Sequence, residues 1–167
     1  MRDKDGVAAI TLVAEAAAWA RDTMGITLYE WLQQLYVKYG FFRESLVSVV
    51  RKGKEGAEEI QRMMVDFREN PPKELAGSEV LTVRDYKSLE EINLRSGVRT
   101  PIDQDSSNVL QWITADGSII SVRPSGTEPK IKFYFGVKEP LPSVEQYDEV
   151  LAALDAKIEQ IKADLKL

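Results

Sequence analysis

The chain has 167 residues, 44% of them hydrophobic and 29% charged, enough to bury the core of one domain, or of one domain and part of another. It contains no Cys and no His, which excludes disulfides, zinc–thiolate sites, Cys nucleophiles and every Ser–His–Asp arrangement. The formal charge of −5 argues against a general attraction to nucleic acid or to anionic membranes.

Val7, Ile10, Val13, Ala14, Ala17 and Ala18 recur at helical spacing, so a first helix is expected over 7–22, stopped by Gly25. Asp3 and Asp5 precede this Ala-rich run and Glu15 interrupts it, which suits an amphipathic helix better than a signal peptide. No stretch is long and apolar enough to span a bilayer, and a cytoplasmic location is expected. Thr27-Leu28-Tyr29-Glu30 has the capping-box pattern and opens a second helix, which Gly40 ends. Two such short helices bury little by themselves and call for a partner surface.

From Phe41 the texture changes. Ser45-Leu46-Val47-Ser48-Val49-Val50 reads as a strand, 56–70 as a helix closed by Pro71-Pro72, and 79–86 as a second strand. Residues 87–107 look irregular. Strands over 109–113 and 118–123 flank the hairpin dipeptide Asp116-Gly117. In the strand 130–137, Ile131, Phe133, Phe135 and Val137 share one face, and Lys130, Lys132 and Tyr134 the other. Ser143-Val144-Glu145-Gln146 reads as another capping box. It opens a last helix whose stripe runs through Val144, Tyr147, Leu151, Leu154, Ile158, Ile161 and Leu165. That stripe suits a helix lying on the sheet, with a coiled-coil seam as the alternative. The expected fold class is α+β: an antiparallel sheet of four to five strands with two helices on one face, in the order β-α-β-β-β-α, after two leading helices.

The stretch richest in chemistry is Arg123-Pro124-Ser125-Gly126-Thr127-Glu128-Pro129-Lys130-Ile131-Lys132, a tight connection between two strands. Ser125 and Thr127 offer hydroxyls, and Gly126 lets backbone N–H groups converge into an anion-binding concavity. Arg123 can grip two oxygens with its planar fork, while Lys130 and Lys132 add point charge. Donors converging from several directions suit a phosphate monoester better than a carboxylate. The same residue types also make an ordinary solvated turn, and the Glu128 carboxylate fits that reading better than it fits a phosphate site. The run Lys130-Ile131-Lys132-Phe133-Tyr134-Phe135 further allows an RNA-binding α/β module. Against it, the Gly positions of the RNP1 pattern are missing.

The segment RPSGTEPKIK, residues 123–132, resembles the phosphate-binding loop in the last domain of the α-D-phosphohexomutases. With Phe133-Tyr134-Phe135 following, it is most similar to the phosphoglucomutase/phosphomannomutase branch. Arg2-Asp3-Lys4-Asp5-Gly6-Val7 resembles the start of the last helix of that branch's third domain, and Leu35-Tyr36-Val37-Lys38-Tyr39-Gly40 the segment joining the third domain to the fourth. The resemblance implies that 1–40 are the closing helices of an α/β third domain and 41–167 the fourth, phosphate-binding domain. It implies an enzyme that interconverts hexose 1-phosphate and hexose 6-phosphate through a bisphosphate. A phosphoserine on the first domain and magnesium on an aspartate loop of the second carry out the transfer. In this chain Arg123, Ser125, Gly126, Thr127, Lys130 and Lys132 would hold the phosphate that is not reacting, and Lys4 would be a basic residue facing the reacting centre. Neither the serine loop nor the aspartate loop occurs here. The chain is therefore expected to be a C-terminal piece, inactive alone and without a metal or cofactor of its own. Its expected partners are a glucose or mannose phosphate and the remaining domains, with neither nucleic acid nor membrane among them.

Overall fold

The computed structural model describes residues 5–167, so Lys4 lies outside the described residues. The chain divides into two units. One comprises the residues up to Phe41 together with Pro140–Val150; the other comprises Phe42–Glu139 with Leu151–Leu167.

In the first unit, helix α1 (Gly6–Trp19) starts where the Asp5 carboxylate accepts a hydrogen bond from the Ala8 N–H. Its last turn widens into a π-helical stretch, Ala20–Met24, which Gly25 ends at φ 71°. The expected apolar stripe is real but uncovered: Val7 is 79% and Ile10 72% exposed. Helix α2 (Leu28–Tyr39) forms the capping box in full, with Glu30 N–H donating to Thr27 Oγ1 (3.2 Å) and Thr27 N–H to Glu30 Oε2 (2.7 Å). Aromatic rings tie this unit together. Phe41 stacks on Tyr36 at 4.4 Å and on Tyr147 at 4.8 Å, and Trp19 meets Trp31 at 5.3 Å.

The second unit is built on a sheet with strands β1 (Phe41–Val50), β2 (Glu74–Leu75), β3 (Ser78–Asp85), β4 (Glu90–Asn93), β5 (Arg99–Pro101), β6 (Leu110–Thr114), β7 (Ile119–Pro124) and β8 (Lys130–Glu139). Their order is β1-β8-β7-β6-β3-β4-β5, with β2 paired to β3. The pairings from β3 through β8 are antiparallel. The α+β class is as expected, but the sheet has eight strands rather than four to five. The β4–β5 pair falls in the stretch that looked irregular. It lacks apolar alternation because ion pairs bind it instead: Arg99 Nη1 reaches Glu90 Oε2 across the two strands at 2.8 Å. Proline is tolerated in β5 because this strand is an edge.

Helix α3 (Gly53–Glu69) buries Ile60 and Met64, and Phe67 sets its edge against Trp112 (5.1 Å) and Phe133 (6.1 Å). Helix α4 (Tyr147–Asp164) buries Leu154, Ile158 and Ile161, and its Lys162 lies over the Phe135 ring. Phe133 and Phe135 alternate to the same side of β8, so both helices cover one face of the sheet. Trp112, Ile120, Val122, Ile131 and Val137 complete that core. Lys157 on α4 reaches both Asp116, in the β6–β7 turn, and Glu139, at the end of β8, at 2.9 Å each.

These burials decide two alternatives. Phe133 and Phe135 are 0% and 1% exposed, so the base-stacking platform of an RNA-binding module is missing from this strand. Leu154, Ile158 and Ile161 are buried by the chain itself and cannot form an interchain seam. The second capping box does not form. Val144–Gln146 winds as a 3₁₀ turn in which the Gln146 N–H donates to the Ser143 carbonyl rather than to its side chain.

Candidate functional site

Arg123 and Lys132 are direct partners in the β7–β8 ladder, so both side chains leave the sheet on its helix-free face. Beyond them the chain turns through Ser125–Pro129. Backbone bonds fix the base of this loop: Ser125 N–H donates to the Lys130 carbonyl (2.8 Å), and Lys130 N–H to that of Glu128 (2.8 Å). From the end of β1, Arg51 N–H reaches the Pro129 carbonyl (2.9 Å). Inside the loop the Thr127 and Glu128 N–H groups point at Ser125 Oγ, at 3.4 and 3.3 Å.

The result is an open, polar concavity of about 370 Å³. All six residues singled out from the sequence, Arg123, Ser125, Gly126, Thr127, Lys130 and Lys132, line it, with Glu128 and Tyr134 beside them. Gly126 does not have the positive φ that demands glycine, and a Cβ built there meets nothing within 4 Å. Within the chain, neither backbone nor packing requires glycine at this position. Its missing side chain keeps the mouth of the concavity clear.

The electrostatics are uneven. Lys130 forms an ion pair with Glu128. The hydrogen bond from Lys130, then its charge, then that of Lys132 hold the Glu128 carboxyl below its usual range. Arg123 and Lys132 form no ion pair among the described residues. The site therefore offers two cations that form no ion pair among the described residues, and two hydroxyls, on a loop whose N–H groups at Ser125, Thr127 and Glu128 are bonded within it. That arrangement can hold a compact oxyanion. Among the described residues no three acidic side chains gather into a metal-binding cluster, so none is assigned to the magnesium that the resemblance implies.

Two participants were not read from the sequence as site residues. Tyr134 borders the concavity, and its alternation with Lys130 and Lys132 is the signal that could have found it. Arg51 braces the loop through its backbone from more than 70 residues away, for which a sequence carries no local signal.

Residues 46–154 match the family model described as "Phosphoglucomutase/phosphomannomutase, C-terminal domain", a segment that includes the whole loop. The chain belongs to the phosphoglucomutase/phosphomannomutase family. Curated relatives include phosphoglucomutases of Staphylococcus aureus strains MRSA252, 36% identical over 158 residues, and N315, 35% identical over the same length. Each alignment covers 95% of this chain and 27% of the relative, so the chain spans about a quarter of the length of these phosphoglucomutases. A solved Paramecium phosphoglucomutase, pp63/parafusin, aligns over 83% of this chain and 23% of its own at 17% identity and a TM-score of 0.41, too slight a likeness to bear on the fold.

Proposed function

We propose that this chain is the phosphate-holding C-terminal domain of an enzyme that interconverts hexose 1-phosphate and hexose 6-phosphate through a bisphosphate. Arg123, Ser125, Gly126, Thr127, Lys130 and Lys132 hold the phosphate that does not react. The observation that carries this reading is the Arg123–Lys132 pair, two cations opposite each other at the mouth of a hydroxyl-lined loop that form no ion pair among the described residues. The Arg123 guanidinium binds two phosphate oxygens, the Ser125 and Thr127 hydroxyls donate to others, and Lys130 and Lys132 balance the remaining charge.

The loop's task is positioning: a phosphate held at one end of a sugar fixes where the other end lies. In this reading residues 1–40 close the third domain and 41–167 form the fourth. The phosphoserine and the magnesium ion belong to the other domains of a cytoplasmic enzyme, so this chain alone binds phosphate without transferring it. Membership of the family and the identity to phosphoglucomutases support the reading.

The test is a titration of the 167-residue chain with inorganic phosphate or glucose 6-phosphate, followed by backbone amide NMR shifts. Only phosphate contacts are present, so a dissociation constant on the order of 1 mM is expected, which corresponds to about −4 kcal/mol. The responding amides should be those of Ser125, Gly126 and Thr127. Arg123→Ala should abolish the response and Lys87→Ala, on the exposed surface, should leave it intact. Shifts that cluster elsewhere, or an Arg123→Ala variant that binds like the parent, would overturn the reading.

A further inference from the structure

Within the proposed phosphate loop, one side chain carries the wrong charge. Glu128 lines the same concavity as Arg123, Lys130 and Lys132, and its carboxylate is bonded to the Lys130 ammonium. We propose that Glu128 is the loop's resident anion: it occupies Lys130 while the site is empty, yields it to an incoming phosphate, and so sets how tightly phosphate is held.

Three observations support this exchange. First, the two partners differ in freedom. The Glu128 side chain is 59% exposed and can swing into solvent, whereas that of Lys130 is 28% exposed and stays at the wall of the concavity. Second, the loop backbone that carries Glu128 is fixed independently of the ion pair. Its N–H donates to Ser125 Oγ and its carbonyl accepts from the Lys130 N–H, so releasing the carboxylate leaves the loop in place. Third, Arg123 and Lys132 form no ion pair among the described residues, so a phosphate can dock on them before it competes for Lys130.

The chemistry fixes the direction. A carboxylate and a phosphate cannot share one ammonium without repelling each other. An ion pair with one exposed partner is cheap to break, and a dianion attracts the ammonium more strongly than a single carboxylate does. The carboxylate therefore always subtracts from phosphate affinity. An empty loop without Glu128 would leave three cations clustered and would bind any small anion more readily. Glu128 is thus an affinity-setting residue rather than a contact to the substrate.

This inference rests on the phosphate reading, and its test separates the two. The 167-residue chain, Glu128→Gln, Lys130→Met and the double variant are titrated with inorganic phosphate at neutral pH and constant ionic strength. Amide shifts of Ser125–Thr127 report binding, and the rest of the amide spectrum reports the fold, which an exposed Glu128 should not disturb. Glu128→Gln should bind phosphate about three- to tenfold more tightly than the parent, as expected for removing a nearby like charge and a competing ion pair. In the Lys130→Met background the same substitution should give a markedly smaller gain, because the exchange acts through that ammonium. An unchanged or weaker affinity in Glu128→Gln would overturn the inference while leaving the phosphate site standing. An equal gain in both backgrounds would also overturn it, by showing that the carboxylate acts only through space. No loop response in any of the four proteins would remove the phosphate reading and this inference together.

Discussion

Gly56→Ala sets two backbone effects against each other. Gly56 is buried in the first turn of α3, facing the end of β1. In an open helix, replacing Gly with Ala stabilises by about 1 kcal/mol. Here the new Cβ would lie 2.5 Å from the carbonyl carbon and oxygen of Arg51 and 2.7 Å from its Cβ. Ordinary contact begins at 3.4 Å, so α3 and the Arg51 segment must part by about 0.9 Å. The obstacle is mainly backbone, which cannot rotate away. Overpacking of this kind costs ~3 kcal/mol, the upper end of its usual range, leaving a net loss of ~2 kcal/mol after the helix gain. The displaced backbone is the one whose N–H holds the Pro129 carbonyl, so the 125–129 loop, the proposed phosphate site, should loosen as well. Urea unfolding of the parent and variant measures the first effect, and the phosphate titration measures the second. A Gly56→Ala variant as stable as the parent, with unaltered phosphate affinity, would refute the argument, because helix propensity would then have outweighed the close approach.

Leu154 is fully buried on α4, so Leu154→Ala should cost about 2–5 kcal/mol in urea unfolding without changing the mass in solution; an altered oligomeric state at unchanged stability would contradict the packing described above. Burial pushes the Asp116 carboxyl up, but the Thr114 hydroxyl, the Lys157 ammonium and the Ser118 donors outweigh it and hold it well below the usual carboxylate range. A depressed carboxyl stabilises the fold above its unfolded pKa, about 3.9, and loses that contribution as pH falls toward the lower folded value. Asp116→Asn should therefore cost about 1–2 kcal/mol at pH 7, with the gap to the parent shrinking below about pH 4. A gap that stays constant from pH 7 to pH 2 would contradict this.

What could be read from the sequence was local. The Thr27–Glu30 capping box, the Asp116-Gly117 turn and the alternation of Ile131, Phe133, Phe135 and Val137 each lie within a few residues, and each forms as expected. The pairing of Arg123 with Lys132 was local too, because a short turn joins two strands whose alternation was plain. Ionic pairing was not legible. Glu90-Glu91-Ile92-Asn93 has no apolar period; as a strand it pairs its carboxylates with Arg84, opposite Glu91, and with Arg99, which reaches Glu90 diagonally. The clamp of Lys157 on Asp116 and Glu139, and the brace from Arg51 to Pro129, join residues far apart in sequence and had no local signature. Ser143 shows the opposite failure. The pattern was present, but the first turn wound too tightly for its side chain to cap.

The arrangement of charge around the loop supports the proposed site over a plain turn. A solvated turn has no reason to place Arg123 directly opposite Lys132, since like charges across an antiparallel pair repel and cost stability. Elsewhere on this sheet the opposite rule holds: Arg84 faces Glu91, and Arg99 is bonded to Glu90. At the 123–132 hairpin the carboxylate that lines the concavity, Glu128, is bonded to Lys130 rather than to Arg123 or Lys132. The sheet neutralises its arginines along β3–β5 but sets two cations opposite each other on β7–β8. The proposed phosphate, bound between Arg123 and Lys132 over a glycine that no internal packing requires, would relieve their repulsion.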